Sequence, residues 1–177
     1  MEFDAAPMEV AFLTDDPLDS VVIDALSGDT LYTIKTSPKL AFGKRTTTVC
    51  DAQGRAIAQY RRRWVQDQVE LNGVAKNVNS WLPRDGAFSS SRGFLAPNGR
   101  TYVWKRLWGQ SRFQLIDRQT DQVVAQSEGA SPTRCMGIEF LSSVAPILDT
   151  LVLSFIICED DRRDQETLLA PTAVDSE

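Results

Sequence analysis

The stretch that decides the fold is residues 144–158, with the sequence VAPILDTLVLSFIIC, followed at once by the charged residues 159–163, EDDRR. A helix drawn over residues 144–158 is apolar on nearly every face, so it lacks the polar side that an amphipathic surface helix turns toward water. The run is also shorter than the roughly 20 residues that a bilayer-crossing helix needs. We therefore expect a helix buried inside the protein, and no transmembrane segment.

The sequence before this helix consists of short apolar, β-branched runs separated by turn residues. Three pairs of runs are joined by loops of hairpin length: residues 45–50 with 56–60, 93–95 with 101–104, and 112–116 with 122–126. Residues 73–86 are the least strand-like stretch, and we predict a long loop there. Regular short strands indicate a sandwich or a barrel, and the all-round apolar helix favours a closed antiparallel sheet wrapped around it.

The chain has the length of one domain, 177 residues, and nothing in it marks a linker between two. We expect a flexible N-terminus over residues 1–9, a barrel domain over residues 10–163 and a disordered acidic tail over residues 164–177. The N-terminus lacks the basic start and apolar stretch of a secretory signal. Three cysteines without metal or redox spacing are typical of reduced thiols. These features predict a cytoplasmic protein.

The net charge of −5 conceals a strong segregation along the chain. Residues 1–29 carry eight acidic side chains and no basic one, and residues 159–177 carry seven acids against two arginines. Residues 30–158 have 17 bases against nine acids, a balance of +8. This basic middle indicates either a surface for an anionic partner or a surface that the acidic ends neutralise by packing on it.

Alternation along two strands assigns part of the basic residues to inward, aromatic faces. These faces hold Tyr60, Arg62 and Trp64 on one strand, and Trp104, Arg106 and Trp108 on the other. An inward arginine needs an acidic partner, because an unpaired buried charge is costly. Asp149 is the single acid within the apolar helix, so we predict a structural buried pair of Asp149 with Arg62 or Arg106.

The chain lacks the residue type and the motifs on which several large enzyme classes depend. The chain has no histidine, which excludes Ser-His-Asp and Cys-His arrangements and the usual zinc sites. It contains neither a GxGxxG fingerprint nor a GxxxxGK[ST] phosphate loop. We predict no cofactor, no metal and no catalytic residue; the alternative makes Asp149 a catalytic acid or a cation ligand.

The candidate ligand-binding residues are basic: Lys44, Arg45, Arg61, Arg63 and Lys105. Cations interleaved with aromatic residues suit phosphate headgroups at a membrane surface or single-stranded nucleic acid. We favour the headgroup and expect no nucleic-acid partner. The alternative is that Trp64, Trp104 and Trp108 belong to the core and that the cations form a solvated face.

Four segments carry a resemblance to a known superfamily: residues 28–34 (GDTLYTI), 45–49 (RTTTV), 102–105 (YVWK) and 147–155 (ILDTLVLSF). From about residue 10 to residue 163 the chain resembles an uncharacterised fungal, mostly basidiomycete, family of the tubby C-terminal-like superfamily. That superfamily also includes the LURP-one-related and phospholipid scramblase families. The resemblance implies a closed barrel of about 12 strands around a hydrophobic C-terminal helix.

The resemblance also implies lipid binding, since tubby domains bind phosphoinositides. The lysine and arginine that bind the headgroup in tubby proteins have no matching positions here, so those roles are not carried over. The chain lacks the cysteine-rich and calcium-linked segments of scramblases, and we expect no scrambling activity.

The sequence therefore predicts a monomeric, non-catalytic binding module for an anionic, phosphoinositide-like headgroup, located in the cytoplasm and peripherally at a membrane. The first alternative is an enzyme or small-molecule binder that uses the barrel interior around Asp149, Arg62, Arg106 and Tyr60. The second is a protein-interaction domain that contacts its partner through the acidic tail.

Overall fold

The computed structural model describes residues 7–38, 44–86, 90–107 and 110–169. Its strands are β1 (Met8–Phe12), β2 (Ser20–Asp24), β3 (Thr30–Thr36), β4 (Arg45–Asp51), β5 (Ala56–Arg62), β6 (Gln68–Leu71), β7 (Val74–Asn77), β8 (Arg92–Leu95), β9 (Thr101–Arg106), β10 (Phe113–Asp117), β11 (Gln122–Glu128) and β12 (Met136–Phe140). Its helices are α1 (Val78–Trp81), a 3-10 helix (Ser142–Ile147) and α2 (Leu148–Leu169). The fold is mainly β, as predicted.

All twelve strands belong to one antiparallel sheet in the order β7-β6-β5-β4-β3-β2-β1-β12-β11-β10-β9-β8. The three predicted hairpins are confirmed as β4–β5, β8–β9 and β10–β11. The pairing of β1 with β12 joins the two halves of the sheet. In the described residues no ladder joins β7 to β8, so hydrogen bonds do not close the sheet into the barrel that we expected.

The β1–β12 junction depends on one close backbone approach. A Cβ atom at Gly137 would lie 2.9 Å from the carbonyl oxygen of Val10, closer than such atoms come in proteins. Any side chain at this position would push the two strands apart, so glycine is required where the two halves of the sheet meet.

The apolar helix lies inside the sheet, as its composition predicts. Residues 150–160 of α2 are all buried. Phe155 packs against three aromatic rings from different strands, with centroid distances of 5.6 Å to Phe12, 5.7 Å to Trp104 and 6.2 Å to Phe113. The indole Nε1 of Trp104 donates a hydrogen bond to Oγ of Ser154 at 2.9 Å, which satisfies both polar groups within the core.

The continuous helical segment Ser142–Leu168 is long and apolar enough to cross a bilayer by length and composition. A core helix passes the same test, and 67% of its most apolar window is buried in the protein. The segment therefore serves as the centre of the fold in this structure.

Three boundaries differ from the sequence-based predictions. The predicted loop over residues 73–86 contains β7 and α1. The predicted tail begins within α2, which runs to Leu169, and β1 begins at Met8 rather than after residue 9. Residues 1–6 and 170–177 lie outside the described residues. The helix continues past the apolar run because its charged residues bind the strands around it, as shown below.

Candidate functional site

The interior of the sheet offers little space for a ligand. Aromatic and aliphatic side chains surround α2, and the cavity beside Cys158 and Phe113 has a volume of only about 10 Å³. A single water needs about this much room. Side chains of the described residues therefore fill most of the space around α2.

Asp149 is exposed, and within the described residues its side chain contacts a tyrosine rather than an arginine. Its Oδ1 accepts a hydrogen bond from the Tyr32 hydroxyl at 2.5 Å. Burial raises the pKa of Tyr32, and the bond to Asp149 raises it further, so this hydroxyl stays a protonated donor. The pair anchors the first turn of α2 to β3.

The predicted partners of Arg62 and Arg106 are therefore corrected. Arg62 binds Asp160 through Nη1 at 3.2 Å and also binds Asp164, while Arg106 binds Glu166 at 2.8 Å. The reason is distance along the helix: at 1.5 Å per residue, Asp149 lies about 16 Å from Asp160, toward the opposite end of the sheet.

These ion pairs belong to a larger group that we call the charged end. It consists of four arginines from the strands and four acids from α2: Arg45, Arg62, Arg92, Arg106, Asp160, Asp161, Asp164 and Glu166. Arg92 binds Asp161 at 2.6 Å, and Arg45 binds the buried Asp160. For the four acids of the charged end, neutralisation of the basic middle by an acidic end is confirmed.

The acidic N-terminal segment contributes to the same neutralisation in a smaller way. Glu9 binds Arg134 at 2.6 Å and Asp19 binds Lys35 at 2.5 Å. Both pairs are largely exposed and contribute little stability. Together with the charged end, they leave far fewer uncompensated cations than the sequence balance suggests.

The five predicted ligand-binding cations divide into two groups. Arg45 is only 16% exposed and is held by Asp160, and Arg61 binds Glu70 at 3.0 Å. Lys44, Arg63 and Lys105 are exposed, and their side chains form no ion pair with any described residue. Only the second group has its charge available to a ligand.

Lys44 and Arg63 lie side by side at one end of the β4–β5 hairpin. Arg45 pairs with Arg62 in the ladder, so the residues that flank this pair, Lys44 and Arg63, are the next neighbours across it. Lys105 lies on β9, which is not bonded to β4 or β5. The structure thus brings two of the three free cations together.

Two exposed apolar residues accompany this pair. Trp64 is 74% exposed and Val65 is 89% exposed, in the loop between β5 and β6. The prediction that Trp64 lies in the core is wrong, because β5 ends at Arg62 and its alternation ends there too. Trp104 is buried as predicted, and Trp108 lies outside the described residues. We call Lys44, Arg63, Trp64 and Val65 the basic–aromatic patch.

A second feature lies at the gap between the sheet edges, where we expected a loop. Two cavities of about 470 Å³ and about 350 Å³ flank α1, and both are lined by Lys76, Trp81 and Leu95. We call them together the edge groove. Lys76 lies on the edge strand β7, and Trp81 lies in the segment that links β7 to the other edge strand, β8.

Metal binding has no support in the described residues, where no three cysteine or carboxylate side chains are grouped as ligands would be. Burial raises the pKa of Cys158, and the nearby Asp161 raises it further, so this thiol stays protonated and unreactive. Neither observation favours chemistry in the core.

Comparison with known proteins assigns the family. Residues 15–164 match the family of unknown function DUF6593. The chain belongs to this family. A crystal structure of a protein from Arabidopsis thaliana is similar to this DUF6593 chain, with a TM-score of 0.53 and 15% identity, over 89% of this chain and 92% of that one.

At this identity the likeness concerns the fold alone. No curated protein matches the DUF6593 chain in sequence. A fungal origin and a relation to scramblases remain predictions.

Proposed function

We propose that this DUF6593 protein is a non-catalytic binding module that attaches to anionic membrane surfaces through its basic–aromatic patch. The observation that carries the proposal is the exposure of Trp64 and Val65 directly beside Lys44 and Arg63. A cytoplasmic location and a phosphoinositide-like headgroup as the ligand belong to the same proposal.

The apolar half of the patch suits a membrane interface. Tryptophan favours the boundary between headgroups and acyl chains, because its ring is apolar while its N–H needs a polar partner. The exposed side chain of Val65, which follows Trp64 in the sequence, would also be transferred from water to the membrane, and this transfer is favourable in free energy. An exposed apolar patch beside cations is typical of a surface that a membrane or another partner covers.

The cationic half supplies attraction over a longer range. A lysine or arginine near an anionic leaflet contributes about 1 kcal/mol, and the attraction falls off within a Debye length. Lys44 and Arg63 together therefore give only modest affinity. We expect reversible binding that needs both the charges and the apolar residues, and that weakens as salt increases.

Flotation with liposomes tests this proposal. The protein should float with vesicles of phosphatidylcholine mixed with phosphatidylserine or a phosphoinositide, and not with phosphatidylcholine alone. Adding salt should release it. The double variant Lys44→Glu/Arg63→Glu and the single variant Trp64→Ala should each lose most of the binding.

Matched controls separate the patch from general effects of charge and surface. Lys76→Glu changes the charge in the edge groove, and Leu26→Ala removes a fully exposed apolar side chain from the turn after β2. Both should float as the wild type does. Equal binding by all variants, or no binding at low salt, would reject the proposal.

A further inference from the structure

The edge groove exists because the sheet stays open. Strands β7 and β8 are the two edges, and the four-residue helix α1 lies between them. Trp81 at the end of α1 stacks on Phe94 of β8, with centroids 6.3 Å apart and ring planes inclined by 19°. The stacking holds the indole in place, and the indole lines both of the cavities that make up the groove.

One half of the groove is apolar. The cavity of about 350 Å³ is lined by Leu71, Val74, Leu95 and Pro97, among others. Val74 is 57% exposed on β7 and Leu95 is 67% exposed on β8, so an exposed aliphatic side chain stands on each edge of the gap. Such a lining, in which Asn72 and Thr150 are the neutral polar residues, suits an alkyl chain.

The other half is the more polar of the two, and its lining holds three cations and one acid. The cavity of about 470 Å³ is lined by Lys76, Arg84 and Arg118, with Asp85 as its acid. Arg118 binds Asp85, whereas Lys76 forms no ion pair with any described residue. Ser80 and Thr101 add hydroxyl groups to the same wall.

Lys76 stands where the two halves meet, since it lines both cavities. Val74 and Lys76 lie on one face of β7, because successive side chains of a strand alternate and these two are two residues apart. An apolar contact and a cation are thus presented to the groove at a spacing of about 7 Å along one strand.

We infer that the edge groove binds a free fatty acid, with the alkyl chain in the apolar cavity and the carboxylate at Lys76 and the hydroxyl groups beyond it. The volume is within the range of sites for small ligands, about 300–1,000 Å³. The positive charge of Lys76 favours a ligand with an anionic headgroup. The apolar walls of the groove are the two edge strands, β7 and β8, and the space between them suits one alkyl chain. This site is separate from the basic–aromatic patch and goes beyond the proposed function.

Calorimetric titration of the full chain with laurate, below the concentration at which laurate forms micelles, tests the inference. We expect saturable binding to one site. Lauryl alcohol has the same chain without the charge, and should bind at least tenfold more weakly, because it lacks the charge-assisted contact. Lys76→Glu should reduce laurate affinity by about tenfold or more, because attraction becomes repulsion.

Two further comparisons make the result specific. Val74→Asp places a charge in the apolar half and should reduce laurate binding, whereas Val123→Asp, on the exposed surface of β11, should not. Lys44→Glu should bind laurate as the wild type does, so failure of the membrane proposal leaves this test unaffected. Thermal unfolding confirms that each variant is folded.

The inference is overturned if laurate does not bind, if the alcohol binds as well as the acid, or if Lys76→Glu binds laurate with unchanged affinity. Laurate binding that Lys44→Glu abolishes and Lys76→Glu retains would also overturn it, because the fatty acid would then sit at the basic–aromatic patch.

Discussion

At the scale of single residues, Asp149 and Asp160 show how two acids on one helix differ in role. Asp149 is exposed and accepts one hydrogen bond from Tyr32. Asp160 is buried, with its side chain only 5% exposed, and it binds both Arg45 and Arg62. The buried carboxylate of Asp160 neutralises the two guanidinium groups, which would otherwise be charges held away from water without an acidic partner.

We predict that Asp160→Ala destabilises the protein by about 3 kcal/mol, because it leaves the largely buried Arg45 without its acid. Urea denaturation measures the change as a shift of the midpoint. The matched control is Asp164→Ala, which removes another acid from Arg62 but at a site that is 47% exposed. Its cost should stay below about 1 kcal/mol. Equal effects of the two variants would contradict the prediction.

The sequence indicates that Arg62 and Arg106 need acidic partners, but the acid that it favours, Asp149, is wrong. Asp149 was the single acid inside the apolar run, and the pattern gave no information on which end of the helix meets which strand ends. That depends on the long-range register of the sheet. The tryptophan at position 64 shows the same limit, since alternation predicts a face only as far as the strand extends.

At the scale of elements, the position of α2 was predictable because a helix that is apolar on nearly every face can be stable only in the interior of the protein. An all-round apolar helix must be surrounded by protein, and the sheet surrounds it. The short elements β7 and α1 were not predictable from pattern. The strand β7 is exposed over three of its four residues and so has no apolar alternation to reveal it.

The buried part and the exposed end of α2 can be compared directly by mutation. Leu151→Ala should cost about 2–5 kcal/mol, because Leu151 is fully buried and its removal leaves a cavity in the core. Leu168→Ala, on the same helix but 84% exposed, should change the free energy of unfolding by less than about 0.5 kcal/mol. Chemical denaturation of both variants gives the comparison. A large cost at Leu168 would mean that a partner covers this end of α2.

At the scale of the whole molecule, ion pairs connect the two edges of the sheet, which no strand ladder joins in the described residues. Acids of α2 bind β4 and β5 through Arg45 and Arg62, near one edge of the sheet. Other acids of the same helix bind β8 and β9 through Arg92 and Arg106, at the opposite edge. The charged end thus ties both edges to one central helix, which holds the sheet curled while the edge groove stays open.

This arrangement places three weakly acidic groups against α2 or within it, and all three have a raised pKa. Burial raises the pKa of Tyr60 above its ordinary value of 10.0, with Asp160 adding to the effect, and burial raises those of Tyr32 and Cys158 as well. The folded protein therefore keeps protons that the unfolded chain releases above the ordinary values, 9.0 for the thiol and 10.0 for the phenols. Stability is full below these values and is lost as the pH rises through the folded-state pKa values.

We predict that the free energy of unfolding falls between about pH 9 and about pH 11, by up to about 1.4 kcal/mol per pH unit for each group. Urea denaturation at several pH values measures the slope. Tyr60→Phe should be less stable than the wild type near neutral pH, because it loses the hydroxyl bond to Asp160 at 3.3 Å, but its slope above pH 10 should be shallower. Cys158→Ala should flatten the slope from about pH 9, whereas Cys135→Ser, at an exposed thiol, should leave it unchanged. Equal slopes in all four proteins would mean that these groups are not held protonated in the folded state, and that the interior around α2 admits water.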